Sequence, residues 1–422
     1  MTVSLNHTDV AIVGAGPVGL TAALVLADAG VSVQVFEAAP AIADDLRAST
    51  FHPPTLDMLA PLGITARLMA QGLVCPHWQV RLHPSGERAL FDMAVLQGDT
   101  AFPFRLQCEQ HKLSAALLVA LGRHPQAQVH LGRAVRQVQQ DADGVSLDVE
   151  GGSAVRARFL IGADGARSIV RRAIGASFDG QTYPETTILA TTDFAFEQAL
   201  EGLSNVSYCW REGAGNFSLL KVPGRWRVSL YPPEGLSDEQ AQSEEQIEAA
   251  MQAIVPRPVR YTVTEKRAYR VHQRLASHYG QGRIWLAGDA AHLNSPAGGM
   301  GMNGGVHDAF CLAQTLIRIL RRQTGRFTDA EWLAAYERQR RPVAQQQIIQ
   351  QAATNRARML ERDPQRRRDA LAALQATASD PVRRRAHLLR SSMIEGVQQA
   401  ARAALNTTDS ARSAGNANRP AG

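Results

Sequence analysis

Cysteine is scarce in this chain, and its spacing carries no metal or redox motif. The four cysteines are Cys75, Cys108, Cys209 and Cys311, and none belongs to a Cys-x-x-Cys pair. Structural zinc sites and dithiol redox centres usually need such pairs, so we predict no metal site and no redox disulfide. Single cysteines that are scattered along a chain usually behave as small buried apolar residues, in a protein of a reducing compartment.

A basic segment before the first apolar stretch is also missing, and we therefore expect no secretory signal. Residues 10–27 carry no charge and superficially resemble a membrane span. Three glycines and a proline stand in the first half of this stretch, which favours a turn between a strand and a helix. We predict a cytoplasmic protein with no integral membrane segment.

Nucleic-acid-binding motifs are absent, although the net charge is +6. Much of the basicity lies late in the chain, at Arg318, Arg321, Arg322, Arg338, Arg340, Arg341, 366–368 and 383–385. Solvated faces of C-terminal helices account for such arginines, so we predict no nucleic-acid partner. A membrane-surface or protein-docking role for these helices stays an alternative.

Three glycine-rich stretches stand out against this background. The first loop, residues 14–19, reads Gly-Ala-Gly-Pro-Val-Gly, and the second loop, residues 162–168, reads Gly-Ala-Asp-Gly-Ala-Arg-Ser. The third loop, residues 288–303, begins Gly-Asp-Ala-Ala-His and ends Gly-Gly-Met-Gly-Met-Asn. Three such motifs, in this order and at this separation, predict that distant parts of the chain converge on one FAD molecule.

The first loop follows the pattern of a dinucleotide-binding turn. The apolar run at 10–13 predicts a buried strand, and the alanine-rich stretch after Gly19 predicts a helix that ends at Gly30. Gly14 suits the tight turn, and Gly16 lets the backbone approach a pyrophosphate. The N–H groups at the start of the helix would face the phosphates.

An acidic residue closes the second predicted strand. Glu37 stands 18 residues after Gly19, near the place where a carboxylate accepts hydrogen bonds from a ribose hydroxyl. A carboxylate there suits FAD or NAD and would repel the 2′-phosphate of NADP. The strand, helix, second strand and acid therefore agree in predicting a bound nucleotide.

The second and third loops each follow a predicted buried strand. Asp164 lies in a sharp turn after the strand predicted at 155–161. Asp289 follows the strand predicted at 283–287, and its carboxylate can bind the hydroxyls of a polyol. The helix predicted to open at 300–303 offers N–H groups that can stabilise negative charge on a bound ring system.

The order of the predicted elements indicates an α/β fold. We predict a Rossmann-like FAD-binding domain interleaved with an antiparallel β-sheet substrate domain, with C-terminal helices behind them. One amphipathic helix at 239–254 is expected to interrupt the substrate sheet. The predicted regions are 1–175 and 273–345 for the FAD-binding domain, 176–272 for the substrate domain, 346–405 for the C-terminal helices and 406–422 for a disordered tail.

These motifs, over about residues 8 to 345, resemble the single-component flavoprotein aromatic hydroxylases, the p-hydroxybenzoate hydroxylase family of class A flavoprotein monooxygenases. The resemblance implies a set of FAD contacts. These are Gly14, Ala15, Gly16, Pro17, Gly19, Glu37, Arg47, Gln110, Asp164, Asp289, Gly299, Gly301, Met302 and Asn303. Pro296 matches a proline whose carbonyl lies beside the substrate and the flavin, and it is a catalytic candidate.

The resemblance also implies the chemistry. NADH or NADPH would reduce FAD and leave again, because the sequence has no second dinucleotide fingerprint. Reduced FAD and O₂ would give a flavin C4a-hydroperoxide that hydroxylates a small aromatic or heteroaromatic, phenol-like substrate, while the protein positions that substrate and excludes water. A non-oxygenating flavin oxidoreductase of the same fold is the alternative.

Four further side chains are candidates for contact with a phenol. A base or a hydrogen-bond acceptor helps a phenol to develop phenolate character, and histidine or tyrosine can serve. His52 is a catalytic candidate, and Tyr208, Trp210 and His272 are candidates for substrate contact. The sequence leaves open the identity of the substrate, the choice between NADH and NADPH, and whether the chain forms a homo-oligomer.

Overall fold

A computed structural model describes residues 6–44, 48–152, 154–212, 215–233 and 235–404. The strands in chain order are β1 Asn6–Val13, β2 Val33–Phe36, β3 Thr50–Phe51, β4 Leu73–Cys75, β5 His77–His83, β6 Arg88–Asp92, β7 Arg105–Gln107, β8 Ala127–His130, β9 Val135–Gln140, β10 Val145–Val149, β11 Val155–Gly162, β12 Phe178–Thr192, β13 Val206–Arg211, β14 Asn216–Val222, β15 Arg225–Leu230, β16 Val263–Ala276, β17 Gly280–Gln281, β18 Ile284–Leu286 and β19 His292–Leu293.

The helices in chain order are α1 Pro17–Asp28, α2 Pro53–Leu59, α3 Ile64–Met69, α4 Gln110–Leu121, α5 Ile169–Ala173, α6 Phe196–Ala199, α7 Asp238–Ala241, α8 Glu244–Gln252, α9 Gly301–Leu320, α10 Asp329–Val343, α11 Gln350–Leu360, α12 Pro364–Ser379 and α13 Pro381–Ser391. Short 3₁₀ helices lie at Met93–Leu96 and Gly288–Ala290, and a π-helix joins α10 to α11 at Ala344–Ile349. Residues 394–404 are also helical.

A sheet with a parallel centre carries the three glycine loops. Strands β18, β11, β1, β2 and β8 lie side by side in this order and run parallel. β10 and β9 extend from β11 as antiparallel strands, and β17 pairs antiparallel with β18. Val10, Ala11 and Ile12 in β1 have no exposed surface, as expected of a central parallel strand covered on both faces. The Rossmann-like part of the predicted fold is confirmed.

The first helix starts and stops where local chemistry directs. α1 begins at Pro17, because proline lacks an N–H and fits the first turn, where that N–H would have no helical partner. It ends at Asp28, and Gly30 follows with φ +76°, a conformation that glycine adopts without strain. The buried face of α1 packs against α9 and α4, which brings the first and third loops together.

A second sheet contains the strands of the region that was predicted as the substrate domain. Its strand order is β19, β16, β12, β15, β14, β13, β5 and β6, and neighbours run antiparallel except β13 and β5, which are parallel. β5 and β6 come from the stretch that the sequence assigned to the FAD-binding part, so the two regions interleave more than expected. The division into domains itself stays a prediction.

The single amphipathic helix predicted at 239–254 is wrong in detail, because the segment forms two helices, α7 and α8. Ser243 stands between them, and its hydroxyl accepts a hydrogen bond from the Gln246 N–H (3.3 Å), which starts a new helix. A third, small sheet has the strand order β3, β7 and β4, and β5 and β6 of the second sheet lie between β4 and β7 in the chain.

The C-terminal helices pack on the second sheet. Leu371 of α12 and Leu388 of α13 share one apolar cluster with Trp78 and Trp210. Not every C-terminal arginine is solvated as predicted, since Arg340 and Arg367 are each only 2% exposed. The tail predicted at 406–422 lies outside the described residues. Within the described ranges, we find no helix with the length and apolar character that crossing a membrane requires.

Candidate active site

The first loop is shaped by two close backbone approaches and one open space. A Cβ on Gly14, whose φ is +105°, would lie 2.3 Å from the carbonyl oxygen of Ala163, and a Cβ on Gly19 would lie 1.9 Å from the carbonyl oxygen of Gly14. A Cβ on Gly16 would meet no protein atom within 4 Å. Gly14 and Gly19 are therefore required by the fold, while Gly16 borders space that a ligand can fill.

Glu37 ties the first loop to the end of β2. Its Oε2 accepts a hydrogen bond from the Ala15 N–H (2.8 Å), and its Oε1 accepts one from the Ala39 N–H (2.9 Å). Each carboxylate oxygen has a further lone pair, so the same group can also accept hydrogen bonds from a ribose. The side chain is partly exposed and is accessible for that purpose.

The second loop is braced from within. Asp164 Oδ2 accepts hydrogen bonds from the N–H groups of Ile169 (2.7 Å) and Val170 (3.2 Å), and Asp164 Oδ1 accepts one from the Ser168 hydroxyl. Burial raises the pKa of Asp164 even though these hydrogen bonds act the other way. The carboxylate therefore holds the start of α5, a role that the sequence did not suggest for it.

Arg171 connects the second loop to the third. Its guanidinium donates to the carbonyl oxygens of Ala290 (2.9 Å) and Ala166 (2.8 Å), and it lies 3.8 Å from the ring centre of Phe178. The second loop also meets the first, because the Ala163 N–H donates to the Val13 carbonyl (2.8 Å). The three loops are therefore one continuous structure, as the sequence predicted.

The third loop packs directly on α1. Gly288 has φ +62°, and a Cβ on it would lie 2.9 Å from a methyl group of Val18. A Cβ on Gly305 would lie 2.6 Å from the same methyl group. Asp289 is exposed at this junction. The glycines let α9 approach the first loop closely, which places Asp289 and the start of α9 beside the space next to Gly16.

Asn303 organises the end of the third loop. Its Nδ2 donates to the carbonyl oxygens of Thr50 (2.8 Å) and Gly299 (2.7 Å), and its Oδ1 accepts from the His52 N–H (2.9 Å). Gly299 has φ +69°, and a Cβ there would lie 2.9 Å from Thr50 Cβ. Asn303 is fully buried, and its amide fixes the path of the loop rather than reaching outward.

His52 is a buried, neutral imidazole. Its Nε2 lies 2.8 Å from the carbonyl oxygen of Gly298, while its Nδ1 has no hydrogen-bond partner within the described residues. Burial, followed by the charge of Arg105, lowers the pKa of His52 to about 3. A group with this pKa is a poor base for a phenol at neutral pH, so the geometry favours a role in holding Gly298.

Asp308 on α9 binds two residues of the third loop. Its Oδ2 accepts from the Gly288 N–H (3.1 Å) and lies 2.8 Å from His292 Nε2. Burial raises the pKa of Asp308, but the charges of Arg340 and His292 outweigh it and lower the pKa to about 2. Asp308 was not predicted as a site residue, although it lies in the helix that directly follows His292 in the chain.

A small cavity lies next to the third loop. It encloses about 20 Å³, which is the room that one water molecule needs. Its lining comes from the second sheet, β7, the third loop, α11 and α13, and consists of Trp78, Arg105, Tyr208, Ala297, Gly298, Asn355, Arg358, Met359, His387 and Ser391. The structure therefore places Tyr208 beside the third loop. Its predicted contact with a substrate stays a prediction.

The other predicted site residues fall in different places. Pro296 is exposed, and its carbonyl accepts a hydrogen bond from the Gly299 N–H (2.9 Å). Trp210 is fully buried behind the cavity, and its indole N–H donates to the Arg358 carbonyl (2.9 Å). His272 is exposed on β16, with Nδ1 2.9 Å from the Thr182 hydroxyl, and it does not line the cavity.

The remaining cofactor candidates lie at the starts of helices or outside the described ranges. Gln110 is the first residue of α4, and its N–H donates to the Ala48 carbonyl (2.9 Å). Gly301 is the first residue of α9, and Met302 beside it is 8% exposed. Pro17 is the first residue of α1. Arg47 is not among the residues that the structure describes.

A larger cavity of about 700 Å³ lies elsewhere on the second sheet. It is lined by Arg211, Asn216, Tyr231 and Leu360 among others, and it includes no residue of the three loops. It shares no wall with the loops. Trp78, Arg105, Arg358 and His387, which line the smaller cavity, were not singled out by the sequence, and only Arg105, an arginine inside an apolar stretch, carried a visible signal.

The residues around the first loop fit FAD. The space next to Gly16 is open, α1 has no acidic residue in its first turn, and Glu37 lies alongside. Helix N-termini of this kind bind phosphates. Together with the parallel sheet and the three loops, these features define a flavoprotein oxidoreductase.

Comparisons with known proteins agree with this class. The family described as FAD binding domain matches residues 7–352. The chain is 35% identical to para-nitrophenol 4-monooxygenase of Pseudomonas sp. (strain WBC-3), over 85% of this chain and 89% of that protein. It is 32% identical to 6-hydroxy-3-succinoylpyridine 3-monooxygenase HspB of Pseudomonas putida (strain DSM 28022 / S16), over 84% and 90% of the two chains.

A solved structure gives the same picture. The p-nitrophenol 4-monooxygenase PnpA from Pseudomonas putida DLL-E4 superimposes with a TM-score of 0.84 at 31% identity, covering 91% of this chain and 98% of that one. The chain belongs to the FAD binding domain family. It is an FAD-dependent monooxygenase that hydroxylates an aromatic substrate with NAD(P)H and O₂. The alternative of a non-oxygenating relative receives no support from these matches.

Proposed function

We propose that the substrate is a small phenol or hydroxypyridine that binds in the cavity beside the third loop. The observation that carries this proposal is the lining of the cavity, which includes Trp78 and Tyr208 together with Ala297 and Gly298 of the third loop. The relatives act, by their names, on para-nitrophenol and on a 6-hydroxypyridine. Both are small rings with one hydroxyl group, and aromatic walls suit such rings.

We also propose which residues hold FAD. The pyrophosphate would lie against the first loop and the N-terminus of α1, at Gly14, Ala15, Gly16, Pro17 and Gly19. The adenosine ribose would bind Glu37, and the ribityl chain would bind Asp289, with Arg47, Gln110 and Asp164 nearby. The flavin ring would lie against Gly299, Gly301, Met302 and Asn303. The open space at Gly16 and the accessible carboxylates support this assignment.

When bound, FAD supplies electron transfer from NAD(P)H and the activation of O₂. The chain's own residues do the rest. Asn303 and His52 hold the third loop in one conformation through the carbonyl oxygens of Gly299 and Gly298. Trp78, Tyr208 and the C-terminal helices enclose the ring and exclude water, which protects a reactive oxygen species from hydrolysis.

The test is a panel of aromatic compounds with FAD-loaded protein. We expect a phenol or a hydroxypyridine to accelerate NAD(P)H oxidation, with little hydrogen peroxide and with one atom of labelled O₂ in the product. Aniline and benzoate, which lack the hydroxyl group, are the matched controls and should stimulate weakly. If every compound gave only hydrogen peroxide, the proposed substrate class would be wrong.

The compartment and the assembly are separate proposals. All four cysteines are free, and burial raises the pKa of each thiol to about 11 or 12. Unpaired, protonated thiols support the cytoplasmic, reducing compartment expected from the sequence. A homo-oligomer stays open. Light scattering on the purified, FAD-loaded protein would measure its mass, and fractionation of the source cells would test the compartment.

A further inference from the structure

Two arginines, Arg105 buried and Arg358 half-buried, line the cavity beside the third loop. Arg105 on β7 is 2% exposed, and its Nη1 donates to the Tyr208 hydroxyl (3.4 Å). Arg358 on α11 donates from Nη2 to Asn355 Oδ1 (3.1 Å). The lining contains no aspartate or glutamate. The cavity therefore holds two positive charges without a negative one.

Several polar atoms in the same walls lack partners. Within the described residues, the buried atoms without a hydrogen bond include Trp78 Nε1, Arg105 Nε, Arg358 Nε, His387 Nε2 and Ser391 Oγ. All five residues line this cavity. A buried polar group without a partner is costly, so their concentration around one space indicates a ligand that supplies hydrogen-bond acceptors.

We propose that Arg105 and Arg358 bind the ionised oxygen of the substrate, so that this enzyme selects aromatic rings that carry a negative charge. The proposal rests on the proposed function and narrows its substrate class from phenols to phenolates and hydroxypyridine anions. Trp78 and Tyr208 contact the ring, and the two guanidinium groups contact its charged oxygen. Neither arginine takes part in the chemistry, so both are specificity-determining residues.

Electrostatics favours the anion for a simple reason. A guanidinium group presents several N–H donors in one plane and matches an oxyanion well. In a cavity shielded from water, two such groups stabilise a negative charge far more than water-exposed groups do. Burial lowers the pKa of Arg358, Tyr208 acts against that shift, and the charge of Arg105 adds to it. A bound anion would supply the compensation that the lining lacks.

His387 stays neutral and adds no third charge. Burial, then Arg358, Arg390 and Arg105, lower the pKa of His387 to about 4. Its ring stacks on Phe91 with centroids 4.7 Å apart and on Trp78 with centroids 5.8 Å apart. The imidazole therefore extends the aromatic wall.

Because the cavity encloses about 20 Å³, a ring enters only when lining side chains swing aside.

The experiment measures binding and ionisation of 4-nitrophenol, whose anion absorbs differently from its neutral form. The FAD-loaded protein is titrated at about one pH unit below the phenol's own pKa, where most free ligand is neutral. We expect the bound ligand to show the nitrophenolate spectrum. 4-Nitroanisole, which cannot ionise, should bind about thirtyfold more weakly or worse. The affinity for 4-nitrobenzoate, an anion that has no phenolate oxygen, distinguishes a preference for phenolates from a general preference for anions.

The variants are Arg105→Gln, Arg358→Gln and Arg358→Lys, with Arg383→Gln as the matched control. Arg383 lies on α13 with a 70% exposed side chain. Each glutamine variant should lose about thirtyfold or more in affinity for the anion and gain nothing for 4-nitroanisole. Arg358→Lys keeps the charge and should lose less. FAD content, measured by absorbance, shows whether each variant is folded.

The outcomes separate this proposal from the proposed function. Any one of four results would overturn the arginine assignment. The protein could bind the neutral phenol, or bind 4-nitroanisole as tightly as nitrophenolate. The folded glutamine variants could keep their affinity for the anion, or no anion could bind at millimolar concentration. If nitrophenolate binds through the arginines but no phenol is hydroxylated, the assignment stands and the proposed substrate class fails. If neutral aromatics are hydroxylated as fast as phenolates, the arginine assignment fails and the proposed function stands.

Discussion

Arg340 and Asp308 form an ion pair that is almost completely buried. Arg340 Nε lies 2.7 Å from Asp308 Oδ1, and the two side chains are 2% and 0% exposed. Arg340 belongs to α10 and Asp308 to α9, and the second oxygen of the same carboxylate accepts from the Gly288 N–H. One carboxylate therefore joins two helices to the third loop.

Replacing this carboxylate should loosen the whole FAD-binding end. In Asp308→Asn, Arg340 is left as a buried charge without its partner, which costs about 3 to 5 kcal/mol. We expect that loss in the free energy of unfolding from urea titration, together with weaker FAD retention. Asp193→Asn, at an exposed position, is the control. An unchanged urea midpoint for Asp308→Asn would show that the pair contributes little.

The first loop offers a clean test of the FAD assignment. A methyl group at Gly16 meets no protein atom within 4 Å, so Gly16→Ala should fold normally but fill the space that we assign to the pyrophosphate. We expect a circular dichroism spectrum like the original and FAD affinity lower by tenfold or more, on the order of 1.4 kcal/mol.

Gly98→Ala is the matched control, because a Cβ there is equally free of contacts and lies away from the loops. It should keep both fold and FAD. If Gly16→Ala bound FAD as tightly as Gly98→Ala, the pyrophosphate would have to lie elsewhere.

Three histidines, His52 and His307 buried and His387 half-buried, predict a free energy of unfolding that falls with acid. Burial is the largest cause that lowers the pKa values of His52 and His307 to about 3 and that of His387 to about 4. The ordinary value is about 6.5, so below that pH the unfolded chain binds protons that the folded chain refuses. The free energy of unfolding should therefore drop as pH falls from about 6.5 to about 4, by about 1.4 kcal/mol per pH unit for each histidine.

Urea titrations at about pH 7, 6 and 5 measure this dependence. His307→Gln should remove about a third of the slope attributed to the three rings. A slope that does not change in this variant would mean that His307 takes up protons in the folded state.

The indole of Trp210 gives a test of cavity rigidity. Its N–H donates to the Arg358 carbonyl, and Trp210→Phe removes that bond and leaves a buried carbonyl without its donor, at a cost of about 1 to 3 kcal/mol. We expect a higher KM with FAD content unchanged. Trp332→Phe is the control, since Trp332 on α10 donates in the same way to the Thr324 carbonyl (3.1 Å) and does not line the cavity. Equal effects of the two substitutions on KM would contradict a positioning role for Trp210.

The parts of the molecule that local chemistry determines were predictable from the sequence. The strand at 10–13, the turn at Gly14 and the helix end at Gly30 each follow from a few neighbouring residues. The start of α9 at Gly301 followed in the same way. These features depend on backbone geometry and helix ends, which a short stretch of sequence encodes.

The cavity was much less predictable, because it depends on packing between distant segments. Trp78 meets Tyr208 only because β5 pairs with β13, and no periodicity announces that parallel pairing. Arg358 and His387 looked like members of solvated basic helices, and composition cannot distinguish a buried arginine from an exposed one. Asp164 was noted as part of a turn, but its hydrogen bonds to the start of α5 depend on the exact path of the loop.

The chain order of the three loops has a consequence for how the protein is made. Val10 of β1 pairs with Phe159 of β11, and the third loop follows only after β16 of the second sheet. During synthesis, β1 and α1 therefore leave the ribosome long before their partners exist. We expect the nascent chain to capture its flavin late, once α9 has emerged, so that a ribosome stalled before residue 288 would carry a chain unable to retain the cofactor.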